Sequence, residues 1–409
     1  MTSNSAPAWA EDARKRAEGA LTELPALTGQ EEEWRFTPPT DFGLEGPLPE
    51  GGAGDGTAPT APDGRLAWVR FVDGVADVSD TTVAENGVIV GDLGAALGEH
   101  EDLVRERLYS LVGFDDKPSA LNAARWESGL FVYVPDGVEV ELPVEGLAWA
   151  TGKVGQVFDR TLVVAGRGSR VTVIDRYGSP DIAGRVSASS VVEVFAGEDA
   201  EVEHVSVIDW GAGIHHHTVI RAEAGRNAKV RSVVVTLGGD VVRVEPTMLV
   251  RGPGADARAL GLYFADGHQH FEHRVIARHE APQAYSNLLY KGAIKDTAHT
   301  VFFGNLVVPP GAPGTDAYQT NRNLVLNEGA RADTIPFLEI ETAEVKCSHA
   351  GAVSRVDDEH LFYLESRGVP RDHAKQLIVE GFCQEVLDEV GLEELRDELS
   401  AAIAKKVRR

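Results

Sequence analysis

The sequence predicts a mainly β protein: a stacked β-solenoid core with helical regions on either side. Three observations predict it. From about residue 128 to 356, short Val-rich strands alternate with Gly-, Asp- and Pro-containing turns and show almost no helical period, as in FVYVPDGVEVEL, RTLVVAGRGSRVTVIDRYG and TVIRAEAGRNAKVRSVVVTLGG. The turn inside these units recurs at Gly166, Gly197, Gly225, Gly254 and Pro282, an interval of 28 to 31 residues, which is a repeat. Outside that span, apolar residues recur at helical spacing. A β-sandwich would also place turns every ~8 to 12 residues, but without the longer period.

The elements follow in chain order. Residues 8 to 24 (AWAEDARKRAEGALTEL) read as one amphipathic helix, and the two prolines of EEEWRFTPP at 31 to 39 end any helix there. Residues 44 to 64, rich in Gly, Pro, Ala and Asp, read as a mobile loop or linker. LAWVRFVDG then predicts a strand and EHEDLVRERLYSLVG a helix, so residues 1 to 127 form a mixed N-terminal region ahead of the 128–356 core. Past 356 the chain turns helical. Asp357 can N-cap a helix that Gly368 stops in the left-handed conformation. Pro370 opens a second helix with Ala374, Ile378, Phe382, Val386 and Val390 on one face, ended by Gly391. The last helix carries Leu392, Leu395, Leu399 and Ile403 as a stripe, with Lys405, Lys406, Arg408 and Arg409 at its C-terminal end. Such a stripe tucks onto its own domain or docks on a partner.

Composition bounds the function. The 409-residue chain holds 39 Lys and Arg against 64 Asp and Glu, a net charge of −25, which repels nucleic-acid backbones and anionic membranes. The N-terminus lacks the apolar stretch of a secretory signal, and no apolar run reaches the ~18 to 20 residues of a membrane span; a cytoplasmic protein is expected. Cys347 and Cys383 are the only cysteines, so any cysteine chemistry is that of a thiol or thiolate. GLAWATGKV (146 to 154) has the wrong glycine spacing for a phosphate loop and Val154 where Ser or Thr should hold magnesium. No GxSxG, HExxH or CxxC motif is present, which disfavours a self-sufficient hydrolase or NTPase and predicts no bound nucleotide.

Three histidine-bearing segments remain as sources of chemistry. In His215-His216-His217, strand alternation lets only His215 and His217 share a face. His268, His270 and His273 offer a second pair spaced for a metal, and the bland reading of both clusters is packed or solvated turn. In EVKCSHAGAV, Cys347 and His349 fall on one strand face and Lys346 and Ser348 on the other; the charged side belongs outside, so the thiol and imidazole are expected covered. The pair reads either as core cysteine beside histidine or as a soft S and borderline N donor set suited to iron or zinc.

The runs HTVFFGNLVV, DAYQTNRNLVLNEGARADTIPFLEIETAEVKCSHAGAV and DDEHLFYLESRGVPRDHAKQLIVEGF, with EEEWRFTP and LNAARWESGLFVYVPDGVEVELPV upstream, resemble the SufB/SufD family in order along nearly the whole chain. The stretch Gln319 to Leu326 lacks the cysteine of the SufB branch, while Cys347-Ser348-His349 and Leu361 to Gly368 match the SufD-like branch. One departure stands out: the family usually continues His-Gly-Ala-Thr, and here the run is His349-Ala350-Gly351-Ala352. The resemblance implies a right-handed parallel β-helix and a non-ATPase scaffold in iron–sulfur cluster assembly. It implies a heterodimer with a SufB homologue, with a homodimer as the alternative for the isolated chain, and a separate ABC-type ATPase, SufC. His349, with Cys347, is expected to bind iron or a transient iron–sulfur cluster shared with that partner. The helical segment 357–409 is expected to dock SufC through Leu361, Phe362, Tyr363, Leu364, Arg367, Gly368 and Phe382.

Overall fold

The computed structural model describes residues 6–52, 54, 56–78, 82–84 and 86–408. The first five residues, whose sequence bears on the secretory-signal reading, and Arg409 lie outside the described residues, as do Ala53 and Asp55 of the Gly-rich segment. Helix α1 (Ala8–Glu23) leads into strands β1 (Ala67–Val72), β2 (Val75–Val78), β3 (Thr82–Val83) and β4 (Ile89–Asp92), then helices α2 (Leu93–Glu99), α3 (Glu101–Val104) and α4 (Lys117–Arg125). Sixteen strands follow without a helix: β5 (Leu130–Val134), β6 (Val144–Trp149), β7 (Gln156–Ala165), β8 (Arg170–Gly178), β9 (Val186–Ala196), β10 (Glu201–Asp209), β11 (Ile214–Ala224), β12 (Lys229–Thr236), β13 (Val241–Val250), β14 (Asp256–Ala265), β15 (His270–His279), β16 (Tyr285–Ile294), β17 (His299–Val308), β18 (Thr315–Val325), β19 (Arg331–Ile340) and β20 (Val345–Arg355). Helices α5 (Asp358–Ser366), α6 (Arg371–Leu387) and α7 (Glu393–Arg408) end the chain. No helix among the described residues is long and apolar enough to cross a membrane.

Successive strands alternate between two ten-stranded sheets, one ordered β2-β1-β6-β8-β10-β12-β14-β16-β18-β20 and the other β19-β17-β15-β13-β11-β9-β7-β5-β4-β3. From β5 and β6 onward every pairing is parallel. The result is a solenoid of about eight coils, each adding one strand to each sheet. Val, Ala, Ile, Phe and Tyr side chains of alternate positions fill the bore as one apolar cluster. The repeat seen in the sequence is a repeated corner: Gly137, Gly168, Asp199, Asn227, Gly254, Gln283 and Gly314 all have positive φ. Their amides continue the ladder from coil to coil, as in Gly168 N–H to Glu198 O at 2.8 Å and Asp199 N–H to Arg226 O at 2.8 Å. Glycine, aspartate and asparagine recur there because they tolerate the left-handed conformation.

Register also decides the outer surface. Arg170, Glu201, Lys229 and Asp256 are successive register partners, so opposite charges stack along the sheet. Arg170 pairs with Glu201, and Lys229 Nζ lies 2.5 Å from Glu201. These pairs are solvent-facing and contribute little individually.

Two segments differ from the sequence reading. The sheets begin before residue 128, because β1 pairs in parallel with β6 and β4 joins β5. The described part of 44–64 is not a free linker: Gly51 N–H donates to Arg185 O (3.1 Å), Gly52 N–H to Gly152 O (2.8 Å) and Gly54 N–H to Thr151 O (3.1 Å). A Cβ on Gly184 would fall 1.8 Å from Gly51 O, so glycine serves close backbone approach here and not looseness.

The outer face of the β2-to-β20 sheet is covered by α6 and α7. Val379, Cys383, Val386, Leu395, Leu399 and Ile403 pack against Val205, Val233, Val235, Leu260, Leu262 and Phe264. The stripe of the last helix is therefore tucked onto its own solenoid. On α6 the buried residues are Ala374, Val379, Cys383, Val386 and Leu387. Ile378 and Phe382 are only half-buried, and the helix ends at Leu387, before Val390. The face is thus rotated by about one residue from the predicted one, because α7 and the sheet share the contact.

The outer face of the β19-to-β3 sheet is covered by the N-terminal region. The predicted helix at 99 to 113 closes after α3, and its remainder is held as a loop by Glu193, which accepts from the amides of Tyr109 (3.1 Å), Leu111 (2.9 Å) and Val112 (3.1 Å). Arg160 pairs with Glu193 at 2.9 Å, both fully buried, and donates to Val112 O at 2.5 Å. Further along, Arg243 pairs with Glu272 and Glu245 beneath the Trp34 ring and donates to Glu33 O at 2.6 Å.

Candidate functional site

Strand β20 is the last of its sheet and, among the described residues, pairs only with β18, in the register Ala317↔Cys347, Gln319↔His349 and Asn321↔Gly351. Ala317, Gln319 and Asn321 are buried in the bore, and register partners in parallel strands point to the same side. Cys347 and His349 therefore face the bore, as alternation predicts. Their cover differs from the expectation: Cys347 is half-buried against the apolar core and His349 is exposed. The reason is topological. An inward residue is covered by its own coil, the coil below and the coil above, and among the described residues no coil stacks above β20.

This open end is the surface around the pair. Ile340 of β19 and Val353 of β20 are exposed on the bore side, while the exposed Tyr318 of β18 and Phe337 of β19 lie on the outer faces of the last coils. Partial burial raises the Cys347 thiol above its ordinary value, and nearby Asp316 adds to this against the Ala317 backbone hydrogen bond; the resting group is the thiol. The change from His-Gly-Ala-Thr to His349-Ala350-Gly351-Ala352 does not bend the chain, since β20 runs unbroken from Val345 to Arg355. Gly351 faces Thr334 across the bore, where a Cβ would stand 3.3 Å from the hydroxyl oxygen.

The other histidines are dispersed. His215 and His217 share the outer face as expected, but His215 Nδ1 meets Asp41 O at 3.0 Å, while His217 lies under Trp34 and Phe42 with Nε2 3.0 Å from Glu245. His216 points into the bore, 2.9 Å from Ser190 and between Tyr177 and Trp210; burial holds its pKa at about 3. His268 sits in a turn on Thr297. His270 lies on the outer face with Nε2 2.7 Å from Thr37, and His273 lies in the bore with Nε2 3.0 Å from Thr236, its pKa held at about 3 by burial. Among the described residues no group of three or more His, Cys, Asp or Glu is arranged to hold a metal ion. On the bore face of β20 this chain supplies two such donors, Cys347 and His349.

Sequence reasoning missed the polar residues inside the bore: Asp159, Asp175, His204 and Gln319, all buried. His204 Nε2 is 2.8 Å from Asp175, and Asp159 bonds Ser190 at 2.7 Å with its pKa pushed up to about 7 by burial. The available signal was a polar residue at an inward position of a strand.

The C-terminal helices divide the residues expected to dock a partner. Asp357 caps α5 through Glu359 N–H, and Gly368 ends it with φ 88°. Leu361 is buried, Leu364 half-buried, and Phe382 carries the Lys291 ammonium 4.8 Å from its ring centroid. Phe362 and Tyr363 project outward at 73% and 57% exposure, with Arg367 over the Tyr363 ring.

Comparison with known proteins gives a consistent match. The family described as SUF system FeS cluster assembly, SufBD core domain, matches residues 148–382. The chain is 39% identical over 297 residues to the iron–sulfur cluster assembly SufBD family protein of Mycobacterium leprae, covering 70% of this chain and 74% of that one. It shows the same identity over 297 residues to the SufBD family protein of Mycobacterium tuberculosis, covering 70% and 73%. To the SufBD family protein of Staphylococcus epidermidis it is 29% identical over 310 residues, covering 76% and 67%.

Proposed function

Because the chain belongs to the SufBD family of iron–sulfur cluster assembly proteins, we propose that it is the SufD-type subunit of a SufBCD assembly, a scaffold that lends His349 to iron or a nascent cluster. The observation that carries this reading is the open last coil. It leaves two long edge strands unpaired, with His349 projecting from the bore mouth between them. Unpaired strand edges of this length call for a partner, and end-on pairing with a homologous solenoid, the SufB chain, would cover them. A neutral imidazole from this chain beside a thiolate from the partner is a sound ligand set for iron, and Cys347 is a reserve thiol within the same face.

The exposure of His349 changes the expected gating. In the separate chain the imidazole is already accessible, so cover comes from the partner and loading requires the two solenoid ends to part. ATP binding belongs to SufC. The outward Phe362 and Tyr363 on α5 suit a helical dock for it, and a SufC dimer closing on ATP would pull the two C-terminal domains and shift the contact. Cargo and nucleotide are thus handled by different parts of the complex.

Replacing His349 with Ala in the reconstituted complex should lower cluster assembly by about tenfold or more, at unchanged complex formation and ATPase activity. Assembly at the wild-type rate would remove His349 from the ligand set.

A further inference from the structure

We propose that Gln319 is a positioning residue for His349, its amide carbonyl accepting the imidazole N–H when the other ring nitrogen binds cargo. This rests on the reading of His349 as a ligand and identifies what orients it. Gln319 is 1% exposed, yet among the described residues neither its carbonyl oxygen nor its amide nitrogen has a hydrogen-bond partner. A buried amide left this way costs stability and calls for a reason.

The surroundings say where a partner must come from. Below Gln319 in register lies Leu288, fully buried. Across the bore lies Gly304, where a Cβ would stand 2.4 Å from the amide nitrogen. Along the strand, Ala317 has no polar side chain. Asn321 is already committed, donating to Tyr263 Oη (3.1 Å) and Tyr290 O (3.2 Å) and accepting from Asn323 (2.7 Å). The polar register neighbour left is the one above, His349. Parallel neighbours stand about 4.8 Å apart, a gap that two side chains on the same face close by a rotamer change.

The chemistry suits the position. An imidazole that donates one nitrogen to iron must carry its proton on the other, and an acceptor there fixes the tautomer and the ring plane. A neutral amide does so without the added basicity that a carboxylate would confer. The bond to cargo stays labile, as transfer requires.

The test compares Gln319→Leu, Gln319→Glu and His349→Ala in the full reconstituted complex supplied with ferrous iron and sulfide, alongside urea unfolding of the isolated chain. Gln319→Leu should leave the chain at least as stable and lower cluster loading about tenfold. Gln319→Glu, which restores an acceptor, should recover loading and slow release to an apo-acceptor protein. Wild-type loading by Gln319→Leu, with His349→Ala defective, would overturn the positioning role and leave the amide hydrated. Failure of Gln319→Leu to fold would assign the amide a packing role and also overturn it. Wild-type loading by His349→Ala would instead sink the ligand reading, and this inference with it.

Discussion

The two outer faces of the solenoid differ in how deeply they bury charge. On one, α6 and α7 meet the sheet through an apolar cluster of Val, Leu, Ile and Cys383, with ion pairs such as Lys291–Glu385, Arg176–Glu398 and Lys406–Asp266 whose carboxylates are at least partly exposed. On the other, the N-terminal region adds to its apolar cluster fully buried ions, Arg160 with Glu193 and Arg243 with Glu272. The difference follows from what does the covering. Helices satisfy their own backbone groups and need only an apolar stripe. The loop 105–114 and the segment 31–38 are not regular helices: Glu193 accepts from three amides of the first, and the Arg243 guanidinium donates to Glu33 O of the second. Tyr109 shows the cost, with φ 68° and its ring under the Arg160 guanidinium.

The largest expected break in this comparison is Glu193→Ala. It strands the Arg160 charge and three amides, so urea unfolding should show a loss of about 3 to 5 kcal/mol; a loss under about 1 kcal/mol would mean the ions do not anchor the N-terminal region. On the apolar face, Leu399→Ala should cost about 2 to 4 kcal/mol by the same assay, and the loss should be the same at pH 5 and pH 7.5. Acid should separate the two faces. Burial, then the neighbouring His299 and Arg243, hold His270 down to about 4, below the usual 6.5. Its neutral form contributes stability that is complete above pH 6.5 and erodes by about 1.4 kcal/mol per pH unit as the pH falls toward 4. His270 is bonded to Thr37, so hydrogen exchange at pH 5 should loosen residues 31–38 before α6 and α7. Simultaneous loosening would erase the distinction.

Legibility from sequence followed the range of the interaction. The corner repeat and the caps Asp357 and Gly368 were readable because φ preference and capping act within a few residues. The α6 face was misjudged by one position because a sheet and a second helix divide its contacts. In the segment 44–64, glycine looks the same whether it gives slack or admits another backbone, and only Gly152, Arg185 and Thr151 across the gap distinguish them. Gln319 could be placed on an inward face by alternation, but that its amide lacks a partner required the coil beneath and the glycine opposite.

For Cys347 and His349, the sequence by itself determined the face, because alternate residues of a strand point to opposite sides whatever surrounds them. Whether that face is covered was decided only by tertiary structure. Burial depends on which coil stacks above, and β20 is the last.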